Sequence, residues 1–143
     1  ERPLREKLIA PNPFDDELHL AHRQIVSGAD EGLALVAEHD QQIVASLIAQ
    51  PHFPTKTLRI LDLRVDYEYR RQGVGLAMLF RTIQHAAQQQ LRAVRTKTLT
   101  NNVPAGLFLL KGGFELAGLD VQYHSNHDLV AEAVSLFWYA ALD

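Results

Sequence analysis

A short basic segment with two glycines, Arg70-Arg71-Gln72-Gly73-Val74-Gly75, constrains the fold of this chain more than any other feature. It separates an apolar, strand-like run at 58–65 from a run with helical periodicity at 76–90. Gly73 and Gly75 have no β-carbon, so a ligand can approach the main chain closely there. The first amides of a helix have no intrahelical partner, and the helix dipole makes that end positive. The order of strand, glycine turn and helix therefore predicts a bound anion.

The spacing of the glycines narrows the kind of anion. A P-loop is excluded because no Gly-Lys-Ser or Gly-Lys-Thr follows, and the dinucleotide-binding fingerprint needs three glycines spaced as G-x-G-x-x-G. For this segment taken alone, an ordinary strand-to-helix loop with solvated arginines remains an alternative.

A second segment lies downstream of a further strand-like run at 93–99. It reads Asn102-Val103-Pro104-Ala105-Gly106-Leu107-Phe108-Leu109-Leu110-Lys111-Gly112-Gly113-Phe114. Together with the pattern Arg70-x-x-Gly73-x-Gly75, it resembles the GCN5-related N-acetyltransferase (GNAT) superfamily. Members of that family bind acetyl-coenzyme A (acetyl-CoA) and carry the pattern N-x-x-A-x-x-[LF]-Y-x-K-x-G-F. The resemblance implies an enzyme, an acetyl-CoA-dependent N-acetyltransferase, and it makes the coenzyme A pyrophosphate the expected anion.

The C-terminal part of the chain narrows this resemblance to one branch of the family. Residues 114–120, Tyr123 and the closing apolar run at 132–139 are similar to the streptothricin-acetyltransferase-like branch. The strand segment Asp62-Leu63-Arg64-Val65 also resembles that branch. The resemblance covers residues 32–142 and implies a small amine substrate, such as an antibiotic or a metabolite.

The element pattern and the resemblance together predict the fold class. The predicted strands cover 33–39, 43–48, 58–65, 93–99, 115–123 and 132–141, and the predicted helices cover 76–90 and a segment that Asn102 caps and Gly112 ends. A turn is expected at 39–42. In the third strand, Leu58, Ile60, Asp62 and Arg64 alternate with a second set, Arg59, Leu61, Leu63 and Val65. The second set is expected to face the core because it is the more apolar. The implied architecture is an α/β fold of the GNAT acyl-CoA N-acyltransferase type, with a mixed, mostly antiparallel sheet flanked by helices.

The length of 143 residues predicts a single N-acetyltransferase domain. Residues 32–142 would form the acetyl-CoA-binding core. The family places a strand and one or two helices before this core. Residues 1–31 are few for that, so an abbreviated or incomplete N-terminal region is expected.

The resemblance assigns the cofactor contacts to the main chain and a few side chains. The pyrophosphate would be held by the amides of Gln72, Gly73, Val74, Gly75 and Leu76, with charge added by Arg70 or Arg71. The pantetheine arm would pair like an added strand with the backbone of Leu63, Arg64 and Val65, between strands that splay apart. The Val65 amide would act as the oxyanion donor. Asn102 is either a helix cap alone or also a hydrogen-bond partner of the cofactor arm.

The chain departs from the family motif at one catalytic position, because Leu109 stands where the family has a tyrosine that protonates the leaving thiolate. Leucine cannot donate a proton. Tyr123 is the predicted replacement and Tyr139 the alternative, although a tyrosine on a strand is often a packed core residue. Asp62 is the predicted general base for the protonated amine. The alternative for Asp62 is a surface carboxylate on the polar side of its strand.

Composition excludes several other classes of function. The formal charge of −3 argues against nucleic-acid binding. No apolar run approaches the roughly 20 residues of a membrane span, and no signal-peptide pattern opens the chain, so a cytoplasmic protein without membrane association is expected. The chain has no cysteine, which excludes a thiolate metal site. The spacings His19-x-x-His22 and His124-x-x-His127-Asp128 lack a clear third ligand, so no metal is expected.

The sequence therefore favours direct transfer of an acetyl group from acetyl-CoA to a primary amine of a small molecule, without a covalent enzyme intermediate. One rival is an acetyltransferase of protein N-termini or lysines. A second rival is a catalytically degenerate acyl-CoA-binding module, which Leu109 favours. A homodimer formed through a sheet edge is a further option.

Overall fold

The structure is a computed structural model that describes residues 32–142. The expected abbreviated N-terminal region at 1–31 lies outside the described residues. The described strands and helices are β1 (Leu33–His39), β2 (Gln42–His52), β3 (Thr57–Val65), α1 (Val74–Gln88), β4 (Ala93–Leu99), α2 (Val103–Lys111), β5 (Glu115–Asp120) and β6 (Ser135–Ala141). Their order confirms the predicted β-β-β-α-β-α-β-β arrangement. A short 3₁₀-helix, Tyr67–Tyr69, lies before α1, and no helix in this part of the chain has the length and apolar character to cross a bilayer.

The six strands form one sheet in the order β1-β2-β3-β4-β6-β5. Of the neighbouring pairs among these described strands, only β3 and β4 are parallel, and the others are antiparallel. Parallel neighbours need a crossover connection, and α1 provides it between β3 and β4. The sheet is therefore mixed and mostly antiparallel, as predicted.

Both described helices pack against the same face of the sheet. The apolar stripe of α1 contributes Leu79, and α2 contributes Leu109, to a core cluster that also contains Leu47 of β2 and Trp138 of β6. A β-carbon at Gly112, where α2 ends, would lie 2.8 Å from Cδ1 of Leu79. The glycine therefore lets the two helices approach each other closely.

A tight hairpin joins β1 to β2. Asp40 and Gln41 have φ values of 51° and 66°, and the flanking residues His39 and Gln42 pair with each other. Two consecutive left-handed residues are typical of the two-residue hairpin turn whose twist matches the strands. The turn predicted at 39–42 is therefore confirmed in its location. His39 and Gln42 belong to the paired strands, and only Asp40 and Gln41 form the turn.

A β-bulge in β3 changes which of its residues face the core. The register shifts between Ile60 and Asp62, so Leu61 is the extra residue. Ile60 belongs to the core cluster, whereas Leu63 and Val65 pack against that cluster from beyond the bulge. The expectation that Arg59 and Leu61 face the core together with Leu63 and Val65 was wrong, because the inserted residue reverses the two-residue alternation. Before the bulge, Leu58 and Ile60 face the core and Arg59 lies on the opposite face.

The face of the sheet opposite the helices carries polar side chains on β3 and β4 and is called the second face below. Cross-strand pairing places the side chains of β3 and β4 beside those of β2 and β6 there, in alternation with the core residues. The second face is defined by Gln50, Arg59, Asp62, Arg64, Arg95, Lys97, Phe137 and Tyr139.

The segment between β5 and β6 is longer than predicted, because β5 ends at Asp120 and β6 begins at Ser135. Asp128 organises this segment. Its carboxylate accepts hydrogen bonds from the His124 amide (2.9 Å) and the Ser125 hydroxyl (2.6 Å). Donation by the Ser125 hydroxyl, followed by donation from the His124 amide, lowers the pKa of Asp128.

Candidate functional site

The strands β3 and β4 separate halfway along their length. Their ladder joins residues 57–60 to residues 93–96, and the Thr96 hydroxyl donates to the Ile60 carbonyl (3.4 Å) at its last pair. Beyond that point β3 pairs with β2 on its other side, and β4 pairs with β6. The facing edges form a cleft whose backbone groups the ladder leaves unpaired, as an extended ligand requires. The predicted splaying of these strands is confirmed.

The loop at the open end of the cleft is bound to β2 by a main-chain hydrogen bond and to β3 through the Arg70 side chain. The Asp66 amide donates to the Val44 carbonyl (2.7 Å), and the Asp66 carbonyl accepts from the Tyr69 amide (2.8 Å). Nε of Arg70 donates to the Val65 carbonyl (3.2 Å). Arg70 therefore helps to hold the loop against the end of β3, in addition to placing a positive charge there.

The glycine turn itself bends sharply into α1. Arg71 and Gly73 have φ values of 63° and 86°, and the Gln72 side chain donates to the Glu68 carbonyl (2.9 Å). Among the described residues, no atom lies within 4 Å of the position that a β-carbon of Gly73 would occupy. The main chain at the start of α1 is therefore open to solvent, as a pyrophosphate site requires.

The first turn of α1 is open to solvent at Gly73 but packed against the protein at Gly75. A β-carbon at Gly75 would lie 3.0 Å from Cζ of Phe108 and 3.7 Å from Cγ2 of Val65. Val74 and Leu76 are partly buried and pack against the core. Gly75 thus permits the approach of α2, whereas Gly73 keeps the turn open. The sequence motif alone did not separate these two roles.

Asn102 caps α2 as predicted. Its Oδ1 accepts a hydrogen bond from the Ala105 amide (3.3 Å), and Pro104 occupies the first turn, where a missing amide proton is tolerated. The side chain is exposed, and its contact with a cofactor remains a prediction.

Asp62 lies on the second face at the point where β3 and β4 separate. Its Oδ2 accepts a hydrogen bond from Nε of Arg64 (2.9 Å), and its side chain is 23% exposed. Asp62 is therefore neither a freely solvated carboxylate nor a core residue. Its position beside the cleft is compatible with the predicted role as a base, and Arg64 orients its carboxylate.

Tyr123 was expected on a strand but lies in the loop that follows β5. Its ring packs against His124 and Phe137, with centroid distances of 4.7 and 5.6 Å, and the Lys97 ammonium lies 4.5 Å from its centroid. Lys97 Nζ and His124 Nε2 also contact each other. The structure thus brings Tyr123 to the β4–β6 part of the second face, whereas Asp62 lies on the β3 part.

The position at which the family motif has a tyrosine is buried here. Leu109 is 5% exposed and belongs to the core cluster. The aromatic side chain of α2 that reaches the first turn of α1 is Phe108, the preceding residue. Neither side chain can donate a proton.

Several side chains on the second face were missed by the sequence reasoning. Arg59 pairs with Arg95 across the β3–β4 ladder, and Arg95 pairs with Tyr139 across β4 and β6. The signal that could have identified them is the alternation of Arg95 and Lys97 with Val94 and Thr96 in a predicted strand.

The fold and the cleft agree with comparisons to known proteins. The family model for the acetyltransferase (GNAT) family matches residues 3–114. The chain belongs to this family. Two curated relatives are similar to it: a streptothricin acetyltransferase of Escherichia coli, 32% identical over 75 residues, and streptothricin acetyltransferase A of Bacillus subtilis (strain 168), 31% identical over 80 residues. These matches confirm the resemblance to the streptothricin-acetyltransferase-like branch.

The matches cover only part of each protein. They include 52% and 56% of this chain but only 43% and 46% of the E. coli and B. subtilis proteins. The chain therefore aligns with less than half the length of these relatives.

Solved structures support the same fold. A protein from Bacillus anthracis str. Ames, assigned as a streptothricin acetyltransferase and crystallised with acetyl-CoA, has a TM-score of 0.73 and 26% identity, covering 78% of this chain and 64% of its own. Ard1 from Thermoplasma volcanium has a TM-score of 0.72 and 23% identity, covering 95% of this chain and 84% of its own, and shows the fold alone.

Proposed function

We propose that this protein transfers an acetyl group from acetyl-CoA directly to a primary amine of a small molecule. The observation that carries the proposal is the cleft between β3 and β4, which leads from the second face to the glycine turn at the start of α1. A cleft with unpaired backbone edges suits the amide-rich pantetheine arm, and the helix N-terminus suits the pyrophosphate. The family membership and the streptothricin acetyltransferase relatives support the small-molecule acceptor.

The cofactor contacts follow from this arrangement. The amides of residues 72–76 bind the pyrophosphate, with Arg70 and Arg71 close by. The main chain of Leu63, Arg64 and Val65 pairs with the pantetheine arm, and the Val65 amide stabilises the oxyanion of the acetyl carbonyl. Asn102 donates its side-chain amide to the cofactor arm while its oxygen caps α2.

The chemistry of transfer requires a base and benefits from an acid. Asp62 removes a proton from the ammonium group, directly or through water, and the amine lone pair then attacks the thioester carbonyl. The C–N bond forms, the attacking nitrogen loses its second proton to solvent water, the C–S bond breaks and coenzyme A leaves as a thiolate. Tyr123 protonates the thiolate from its position beside the second face, with Tyr139 as the alternative donor. A thiolate is a fair leaving group, so loss of this tyrosine slows the reaction without abolishing it.

The second candidate function is an acyl-CoA-binding module that does not catalyse transfer. The burial of Leu109 in the core favours it, because the usual proton donor is absent from α2. In either case we propose that residues 1–143 form one domain with its cofactor-binding core at 32–142. We also propose that it acts in the cytoplasm, where acetyl-CoA is available to it.

Two measurements separate the candidates. Calorimetric titration with coenzyme A tests binding, and release of free thiol from acetyl-CoA across a panel of primary amines tests transfer. For an acetyltransferase, Asp62→Asn lowers kcat/KM by roughly 10²-fold or more at neutral pH, and Tyr123→Phe lowers kcat by a smaller factor. Asp40→Asn, in the exposed β1–β2 turn, is the matched control and retains activity. Coenzyme A binding without thiol release on any amine would support the module, and no binding would overturn both candidates.

A further inference from the structure

Two arginines lie side by side on the second face, next to the closed end of the cleft. Arg59 of β3 and Arg95 of β4 are directly paired in the parallel ladder. Paired residues of neighbouring strands point to the same face and have α-carbons roughly 5 Å apart. Among residues 32–142, the Nε atoms of both side chains are buried without a hydrogen-bond partner. The fold therefore places two like charges together and leaves a buried donor of each unsatisfied.

The described groups that contact these two arginines hold the side chains in place, but they carry no negative charge to balance the guanidinium charges. Arg59 donates a hydrogen bond of 3.4 Å to the side-chain oxygen of Gln50, which carries no charge. The Arg95 guanidinium lies 4.6 Å from the Phe137 ring centroid and 5.9 Å from that of Tyr139. Stacking on an aromatic face leaves the N–H edges of a guanidinium directed away from the ring, where they can donate.

The nearby carboxylates of the described strands do not compensate the pair. Asp62 is hydrogen-bonded to Arg64, and Glu115 lies opposite Tyr139 in the β5–β6 ladder, two strands from Arg95, with an exposed side chain. Within residues 32–142, neither arginine forms an ion pair. Lys97, two residues after Arg95, adds further positive charge to this part of the face.

We infer that Arg59 and Arg95 together bind an oxyanion, a carboxylate or a phosphate, carried by the amine that accepts the acetyl group. The inference rests on the proposed acetyl transfer and specifies its substrate class. Two guanidinium groups offer the planar pairs of donors that such oxyanions accept, and an anion between them relieves the repulsion of the like charges.

The spacing along β3 limits the shape of the acceptor. Asp62 is three residues after Arg59, so the two positions are separated by roughly 10 Å of strand or less, since the bulge shortens the path. An acceptor that reaches both sites carries its amine several atoms from its oxyanion. The aromatic side chains of Phe137 and Tyr139 lie beside Arg95 and provide an apolar surface for the connecting atoms.

The test compares amines that differ only in the oxyanion. Thiol release from acetyl-CoA is measured with ω-amino acids from glycine to 6-aminohexanoate, with the matching ω-aminoalkyl phosphates, and with neutral alkylamines of the same lengths. The wild-type protein is expected to show at least a tenfold higher kcat/KM for the longer members that carry an oxyanion than for the matched alkylamines. Comparison of the carboxylate and phosphate series identifies which oxyanion the site prefers.

Variants assign the preference to the two arginines. Arg59→Met and Arg95→Met keep an apolar stem and are expected to reduce the oxyanion preference to near one. Arg81→Met, which removes an exposed arginine of α1, is the matched control and retains the preference. An unchanged preference in both β-strand variants, or a wild-type protein that favours the neutral amines, overturns the inference.

A binding measurement keeps the inference testable if no transfer occurs. Calorimetric titration of 6-acetamidohexanoate against N-hexylacetamide compares two unreactive ligands of the product type. Stronger binding of the carboxylate by the wild-type protein, lost in Arg95→Met, supports the oxyanion site even where the proposed transfer fails. Equal binding of the two ligands overturns the site, whether or not coenzyme A binds to the glycine turn.

Discussion

Gly75 and Phe108 are in contact across the two described helices, because a β-carbon at Gly75 would lie only 3.0 Å from Cζ of the phenylalanine ring. Phe108 therefore packs on the main chain at the start of α1, directly beneath the proposed pyrophosphate site. The absence of a side chain at Gly75 allows α2 to pack closely, and this packing helps to fix the position of the first turn of α1.

Gly75→Ala is expected to destabilise the fold by roughly 1–3 kcal/mol, the usual range for an extra carbon in a packed site. Alanine gains at most about 1 kcal/mol from its helix propensity, so the steric term decides the sign. Urea denaturation measures the change. In the double variant with Phe108→Leu the penalty is expected to shrink, giving a coupling above about 0.5 kcal/mol. Full additivity of the two substitutions would contradict the proposed contact.

Gly73→Ala is expected to affect the ligand rather than the packing. Its φ of 86° makes alanine unfavourable by about 1 kcal/mol, and the added carbon projects into open space where the pyrophosphate is proposed to bind. Coenzyme A affinity should therefore fall by at least tenfold in a calorimetric titration.

Gly113→Ala provides the matched control for this substitution. Gly113 has a φ of 89°, and in the described part of the chain no atom lies within 4 Å of its β-carbon position, but it follows α2. Both variants should lose similar stability, and only Gly73→Ala should lose affinity for coenzyme A. An equal loss of affinity in both variants would show that backbone strain, not the ligand site, is responsible.

The parts of the fold that were predictable from the sequence are those with local signals. The run from 93 to 99 and the hairpin near Asp40 were placed correctly, because alternation and turn chemistry act over a few neighbouring residues. The bulge at Leu61 was not predictable, because apolar residues lie on both sides of it and no breaker marks the shift. The early end of β5 was missed for a similar reason, since Val121 continues the apolar pattern beyond the last paired residue, Asp120.

The candidate site also has one part that a local sequence signal predicted and other parts that depend on non-local contacts. The glycine turn is contiguous in sequence, so its motif indicated an anion site before any tertiary contact was known. The pair of Arg59 and Arg95 depends on a parallel register between strands that are separated by α1. No local pattern specifies such a register, because it is determined by packing of the whole sheet. The contact of Phe108 with Gly75 is non-local in the same sense.

Thr98→Val is expected to lower the free energy of unfolding by roughly 1–3 kcal/mol, because it leaves a buried donor without a partner. Nε1 of Trp138 donates to Oγ1 of Thr98 (2.9 Å), and Trp138 is only 5% exposed. Thr98 lies in the part of β4 that does not pair with β3, so this bond holds the outer side of the cleft to β6.

Thr98→Ser keeps the hydroxyl and tests whether the bond or the shape of the side chain matters. Urea denaturation should show that the serine variant retains more of the wild-type stability than the valine variant, although serine removes a methyl group. A valine variant at least as stable as the serine variant would mean that the indole N–H finds another partner and that the bond contributes little.

The pH dependence of stability is expected to depend on Asp128. Its pKa is lowered in the folded state by the Ser125 hydroxyl and then by the His124 amide, so folding favours the charged carboxylate. This contribution is present above the pKa of the unfolded chain, about 3.9, and is lost as the pH falls through the lower folded-state value. Urea denaturation between about pH 5 and 2.5 should show a shallower acid decline in Asp128→Asn and an intermediate one in Ser125→Ala. Identical acid slopes in wild type and Asp128→Asn would exclude this linkage.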